Sequence, residues 1–402
     1  MKVVDIRSHV LLDPDFDIGA TSSAQDTIVV EVVTDEGVVG VGETDLNAWI
    51  ARACIESPGT HTMDQGIKHL LLGRDPLDPE AIWRDLYVGT AMTGRRGAVV
   101  HAIGAVDMAL WDIVGKVRGV PCWQLWGDAA VSTLTPYASL QPDASSMSVY
   151  KETMVAWARR AVQAGFTAVK LEATFDGPYR HKGLRAGDEK ITEILQTVRD
   201  TVGPDVRMMV DVQYAFDSVE RALRVTREWD DLDVFFLEAP LWPDDLTKYA
   251  ELSTQSKVPI ASGEWLATEW EFRDLAERGK VQFLQPDTGR VGGISQALKV
   301  CRLAADLGRQ VVPHAWKTGI STAAAAHLAM VTPHMPTFEF LPPELSTSRL
   351  RRELVREELV FENGLLAPPT KPGLGVELVP EAMAEFAAAA ERVWPSAAGM
   401  AR

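Results

Sequence analysis

The runs VRMMVDV (206–212), DVFFLEAP (233–240) and VPIASGE (258–264) are short and apolar, with helical chain such as SVERALRVTREW (218–229) between them. Strands alternating with helices at this pace argue for a parallel sheet with crossover helices. Each run carries an acidic residue at or near its end. Asp211, Glu238 and Glu264 stand 27 and 26 residues apart, one strand-and-helix unit each.

The rhythm extends in both directions. TPYASL (135–140) and TAVKLE (167–172) precede these strands, and VQFLQPD (281–287), QVVPHAW (310–316) and TFEFL (337–341) follow. SVYKETMVAWARRAVQAG (148–165) and GGISQALKVCRLAADLG (292–308) supply further helices. Eight strands are the number that closes a (β/α)8 barrel, so residues 131–345 are expected to form an α/β TIM barrel. Residues 1–130 read differently. TIVVEVVTDEGVVGVGET (27–44) is two β-branched runs split by Asp35-Glu36-Gly37, a hairpin signal. GAVVHAIGAVDMALWDIVGKVRG (97–119) has the apolar spacing of a helix and stops near Gly119-Val120-Pro121. A small α+β domain is expected there. The chain after 345 is charged, then rich in Pro and Gly (APPTKPGLG, 367–375), then helical (AMAEFAAAAERV, 382–393). Residues 346–402 are expected to leave the barrel and pack back on the first domain.

Of the 402 residues, 46% are hydrophobic and 24% charged, and the formal net charge is −16. That field repels nucleic acid and anionic membranes, so neither is expected as a partner. An anionic substrate would need local positive charge at its site. The three cysteines, Cys54, Cys122 and Cys301, show no C-x-x-C spacing, which indicates free thiols and no zinc site. The start MKVVDIRSHVLLDPDFD places Asp5 and Arg7 where a signal peptide needs an apolar core, and no run of about 18 apolar residues follows. A cytoplasmic protein is expected.

Carboxylates after three neighbouring barrel strands meet at the C-terminal mouth, where barrel active sites lie. Three converging oxygen ligands suit Mg²⁺. An acidic residue after a strand also serves as a helix cap. Three adjacent carboxylates repel, however, and call for a cation among them. Asp287 and His314 end the next two strands. An Asp one strand from a His can fix one ring nitrogen and leave the other as base or acid. The other histidines, at 9, 61, 69, 101, 181, 327 and 334, are expected to be structural. Glu339, on the last strand, adds a carboxylate at the mouth. Lys170 and Glu172 share one face of their strand and point inward, as an ion pair either functional or structural. GRVGG (289–293) lacks the G-x-G-x-x-G spacing of a dinucleotide site and reads as a tight turn.

GVGET (40–44), ALWDIVGK (109–116), DVQ (211–213), LEAP (237–240), SGE (262–264), QPDTGRVGG (285–293), PHAW (313–316) and FEF (338–340) occur in this order. Together they resemble the enolase superfamily and, within it, the mandelate racemase-like group, over nearly the whole chain. The resemblance implies an N-terminal α+β capping domain closing over the barrel. It implies one Mg²⁺ per subunit held by Asp211, Glu238 and Glu264, with a His314–Asp287 dyad as base. Glu339 then looks like an acidic hydrogen-bond donor to the substrate carboxylate. Gln213 and Trp316 fall at substrate-contacting positions, and Arg290 near the metal carboxylates. Members with two opposed bases carry Lys-x-Lys on the second strand. Here Glu172 replaces the second Lys, which argues against a two-base racemase.

The expected reaction is dehydration of an acid sugar, an aldonate or aldarate. The metal and Lys170 bind the carboxylate, and His314 takes the α-proton. The β-hydroxyl leaves with acid help from His314 or Glu172, giving a 2-keto-3-deoxy acid. Lys170 beside Glu172 would lower that carboxyl and weaken it as a base. A racemase, epimerase or cycloisomerase shares the first half-reaction, and a non-catalytic barrel binding an acidic ligand is the rival of another class. Residues 13–24 and 44–61 are expected to supply the lid that sets specificity. The expected partners are a small-molecule carboxylate and further copies of the same chain.

Overall fold

The hairpin expected near residue 36 is present. β1 (Val3–Leu12), β2 (Asp26–Thr34) and β3 (Val39–Thr44) form an antiparallel sheet in that order, and Gly37 takes φ +80° in the turn. Four helices follow: α1 (Ala48–Glu56), α2 (Ile67–Leu71), α3 (Pro79–Gly89) and α4 (Ala98–Arg118). The structure is a computed structural model. It describes all residues except Thr21, His181, Lys182, Glu357, Glu358 and 395–402. The assignment of His181 as structural therefore lies outside the described residues.

α4 is long and apolar enough to span a membrane, but it is the buried centre of this first domain. β3 lies directly on it. A Cβ at Gly40 or Gly42 would stand 2.0 Å from the carbonyl oxygen of Ala109 or Ala105. The alternating glycines of GVGET (40–44) thus allow strand and helix backbones to touch. Two buried aspartates on α4 tie it outward. Asp112 accepts from the backbone N–H of Val41 (2.9 Å) and of Leu374 (2.8 Å). Asp107 accepts from Ser295 N–H (2.9 Å) and Oγ (2.5 Å), which caps a barrel helix from the other domain.

The second domain is the expected barrel. Its strands are β4 (Pro136–Leu140), β5 (Ala168–Glu172), β6 (Arg207–Asp211), β7 (Val234–Glu238), β8 (Ile260–Ser262), β9 (Phe283–Leu284), β10 (Gln310–Val311) and β11 (Phe338–Phe340). All neighbours are parallel and in chain order, and β11 returns beside β4. β10 and β11 are joined by two single bonds, Val311 N–H to His334 O (3.2 Å) and Glu339 N–H to Pro313 O (3.4 Å). The helices are α5 (Met147–Gln163), α6 (Glu189–Val202), α7 (Val219–Thr226), α8 (Leu246–Gln255), α9 (Thr268–Glu277), α10 (Ile294–Asp306) and α11 (Gly319–Val331).

The last three strands before closure are shorter than their apolar runs suggest. Glu264, Asp287 and His314 lie two or three residues past the end of β8, β9 and β10, on mouth loops rather than in the ladder. The runs stay apolar because those loops remain buried.

Alternation along the strands sorts the side chains. Val169, Leu171, Met208, Val210 and Leu237 join the main core. The opposite phase faces the barrel axis, and Ala168, Met209, Phe236, Ala261 and Phe283 pack there as one cluster. Two residues further along, the same inward phase carries Lys170, Asp211 and Glu238. An apolar floor therefore supports a charged layer.

After the barrel, α12 (Arg349–Glu353) leads to a tail that returns to α4, where Gly373 pairs with Val120 and Cys122. α13 (Pro380–Val393) places Ala389 and Ala390 in the first domain's core.

Gly42→Ala should cost about 1–3 kcal/mol or more, because backbone rather than a flexible side chain blocks the new methyl. Urea unfolding of the variant checks this. An unchanged midpoint would show that β3 and α4 can separate freely.

Candidate active site

The barrel mouth holds a cavity of about 180 Å³. Lys170, Glu172, Asp211, Gln213, Glu264 and His314 line it, with Arg290 and Trp316. Glu238, Asp287 and Glu339 do not line it but are bonded to or paired with residues that do: Glu238 and Glu339 to Lys170, and Asp287 to His314. The structure thus brings together every residue singled out by the sequence.

Lys170 does not pair with Glu172, contrary to expectation. Its Nζ lies 2.8 Å from Glu238 Oε1 and 2.8 Å from Glu339 Oε1. Burial alone would lower its pKa, but these two carboxylates hold it well above the ordinary lysine value. The reason is geometric. Positions i and i+2 of a strand stand side by side, so a long lysine reaches across the barrel instead of back along its own strand.

Glu172 accepts a hydrogen bond from Thr174 Oγ1. Burial pushes its carboxyl up to about 8, against the pull of Thr174 and Lys170. The expected lowering by Lys170 is present but is outweighed by burial. Glu339 shows the reverse. Burial would raise it, but Lys170 and His314 bring it down to about 2. Its oxygens accept from Ser139 Oγ (2.7 Å) and Ala315 N–H (2.8 Å) besides Lys170. Glu339 accepts from all three of these partners.

His314 Nδ1–H donates to Asp287 Oδ2 at 2.6 Å. Asp287 Oδ1 is held by the N–H groups of Gly289 (2.7 Å) and Arg290 (3.1 Å), so the GRVGG turn orients the aspartate. His314 Nε2 faces Glu264 Oε2 at 3.0 Å. Burial would depress the imidazole, but Glu339, Glu264 and Asp287 raise its pKa to about 9.

Asp211 and Glu238 are raised above the usual carboxylate range, first by burial and then by neighbouring carboxylates. Glu238 Oε2 is buried without a hydrogen-bond partner. Oxygens in this condition fit a hard divalent cation, which would supply the missing positive charge. The three carboxylates expected as ligands are not the tightest group. Among the described residues, Asp45, Asp287 and His314 place ligand atoms within 4.8 Å of one another. Asp45 is matched by Arg290 and by Lys317 Nζ (2.9 Å), so that group is a paired ion network.

Asp45 comes from the first domain, and it heads a seam that sequence reasoning missed. Lys317 Nζ donates to Ser23 O and to Asp26 O (2.8 Å), and Trp316 Nε1 donates to Ser22 Oγ (3.1 Å). Glu43 accepts from the N–H groups of Thr318 (3.2 Å) and Ser321 (2.8 Å) at the start of α11. Thr44 Oγ1 donates to Gly289 O (2.7 Å). Of the two loops expected to cover the mouth, residues 13–24 approach it through Ser22 and Ser23, with Thr21 outside the described residues. Residues 44–61 line none of the cavity. α1 instead buries Ala48, Ala51 and Ile55 in its own domain's core, because its apolar face points away from the barrel.

The N-terminal domain model of the mandelate racemase / muconate lactonizing enzyme family matches residues 9–127. The model of the enolase C-terminal domain-like family matches residues 153–382, more than half of the chain. The chain belongs to the enolase superfamily. D-galactarolactone cycloisomerase of Agrobacterium fabrum (strain C58) is 29% identical over 96% of this chain and 99% of its own. L-rhamnonate dehydratase of Saccharopolyspora erythraea is 32% identical over 88% and 84%. The crystal structure of 3,6-anhydro-D-galactonate cycloisomerase from Zobellia galactanivorans superposes with a TM-score of 0.83 at 27% identity, covering 96% and 99%.

This enolase-superfamily enzyme also carries an aromatic wall that the sequence did not announce. Tyr214 and Trp265 pack with ring centroids 4.3 Å apart, and Tyr179 meets Trp265 at 5.4 Å. Tyr214 OH donates to Glu264 Oε1 (2.8 Å). Gln213 and Tyr214 both take positive φ, +40° and +62°, a strained backbone that turns them into the mouth. Of the other histidines, His9 pairs with Glu31, and His327 bridges Trp123 N–H and Leu374 O. His101 is different. It is buried with neither ring nitrogen bonded, and burial together with Arg290 lowers it to about 4.

Lys317→Met should cost about 3–5 kcal/mol, since it leaves buried Asp45 less compensated and the carbonyls of Ser23 and Asp26 without their donor. Limited proteolysis should then cut within residues 13–25. Resistance equal to the parent's would show that the seam is held elsewhere.

Proposed function

We propose that this enzyme dehydrates an acid sugar by removing the proton next to its carboxylate, with one Mg²⁺ per subunit at Asp211, Glu238 and Glu264. The observation that carries the proposal is the placement of His314 and Glu172 around one cavity. They stand three strands apart on the ring β5–β4–β11–β10 and both line the space between. A substrate there meets a base on one side and a carboxyl on the other.

When bound, the cation supplies positive charge to the substrate carboxylate as its α-proton leaves. The orphaned Glu238 Oε2 and the raised carboxyls of Asp211 and Glu238 support a cation at this place. Lys170 is fixed by Glu238 and Glu339 and adds a second positive charge at the mouth. Asp287 holds Nδ1–H of His314 and leaves Nε2 to take the α-proton. Neutralising the carboxylates around His314 removes what raises its pKa, which turns it into a base. The Cα–H bond then breaks, a Cα–Cβ double bond forms, and the β-hydroxyl leaves as water with a proton from Glu172 or His314. The enol tautomerises to a 2-keto-3-deoxy acid.

A cycloisomerase shares the first proton removal, and one relative carries that name over nearly its full length. The two differ in mass balance: expulsion of a ring oxygen can also end in a keto acid, but only dehydration loses water, which the mass of the product reads.

A screen of acid sugars with Mg²⁺ for keto-acid formation tests the reaction. His314→Asn should lower exchange of the α-proton with D₂O by about 10²–10⁴-fold, while Glu172→Gln should leave exchange measurable and slow dehydration. Exchange that survives without His314 and vanishes without Glu172 would reverse the roles. Glu238→Gln should lose Mg²⁺ binding by calorimetry with its circular dichroism unchanged. Normal Mg²⁺ affinity in that variant would move the metal elsewhere.

A further inference from the structure

A second cavity, of about 230 Å³, lies beside the first. Gln141 lines both, and the adjacent Ser22 and Ser23 line the second and the first respectively. Gln141 directly follows β4 and is 7% exposed, and its Oε1 is buried without a hydrogen-bond partner. A buried amide oxygen of this kind is completed by a hydrogen-bond donor, which a hydroxyl supplies and a carboxylate does not.

The charges beyond Gln141 point the same way. Asp13, Asp15, Asp17 and Asp143 line the second cavity, against Arg349 and Arg352. Both guanidiniums are already engaged. Arg349 is bonded to Glu353 (3.0 and 2.8 Å) and Glu385 (2.8 Å). Arg352 donates to Ser346 O (2.7 Å) and lies 3.9 Å from Glu353. A carboxylate entering there meets a net negative wall. A neutral chain of hydroxyls meets acceptors.

We propose that the two cavities form one cleft, and that the second takes the neutral, hydroxylated tail of a monocarboxylate while rejecting acids with a carboxylate at each end. This rests on the acid-sugar reading above and narrows it to aldonates. The reacting carboxylate sits by Lys170, and the chain of hydroxyls runs past Gln141 towards the aspartates. Gln141 is a specificity-determining residue, not a catalytic one.

Stereochemically matched aldonate and aldarate pairs are titrated by calorimetry into the Mg²⁺-loaded enzyme, and kcat/KM is measured on the same pairs. The aldonate should bind about tenfold or more tighter. The double variant Asp15→Lys, Asp143→Lys reverses exposed charges only, and it should shift the ratio about tenfold towards the aldarate. Gln141→Ala should weaken a six-carbon aldonate about tenfold and leave three-carbon glycerate, too short to pass residue 141, unaffected. Equal affinity within pairs, or a ratio unmoved by the double variant, overturns the charge selection and leaves the dehydration intact. An equal loss of glycerate and hexonate overturns the role of Gln141. Binding of neither class overturns the acid-sugar reading itself.

Discussion

Everything at the barrel mouth depends on one buried amine. Lys170 stands between Glu238 and Glu339, in a layer that also contains Asp211, Glu172 and Glu264. Removing one partner from a buried ion pair typically costs about 3–5 kcal/mol, because a charge is left in low dielectric with nothing to balance it. Lys170 and His314 hold Glu339 down against its burial, whereas burial outweighs the pull of Lys170 at Glu172 and pushes it up. Two chemically similar carboxyls therefore shift in opposite directions at one barrel mouth. Below them, Ala168, Met209 and Phe236 form the apolar floor that fixes the height of the lysine.

The first domain solves the matching problem at the rim. Lys317 would be an unbalanced buried cation in a barrel standing alone; Asp45 supplies its counter-charge and joins Glu264 in balancing Arg290. Lys317 and Trp316 follow His314 by three and two residues. The loop that carries His314 is the loop that the first domain grips. The position of that loop and the orientation of His314 are consequently not independent variables.

The alternation of strand and helix and the recurrence of one acid per unit were legible, because both are periodic in the chain itself. That placed Asp211, Glu238, Glu264, Asp287 and His314 around one mouth before any coordinates. The partner of Lys170 was not legible. It depends on how far a side chain reaches across the barrel axis, and two residues on one strand face look like neighbours in sequence. Asp45 and Lys317 were missed for a related reason: 272 residues separate them, and neither sits in a pattern of its own. Tyr214 and Trp265 follow recognised acidic motifs, but only the positive φ of the DVQY turn reveals that they face the cavity. The extent of β8 to β10 was overestimated, since buried loops and buried strands are equally apolar.

The seam between the domains also fixes an order of assembly. Residues 22–45 are made early on the ribosome, yet their partners are Gly289, Arg290, Trp316, Lys317 and Ser348. The N-terminal sheet must wait, with its docking edge unmatched, until most of the barrel has emerged. α13, last of all, then completes that sheet's core through Ala389 and Ala390. A nascent chain of this protein therefore cannot complete the first domain's core before α13 has emerged, and that core joins segments far apart in the chain.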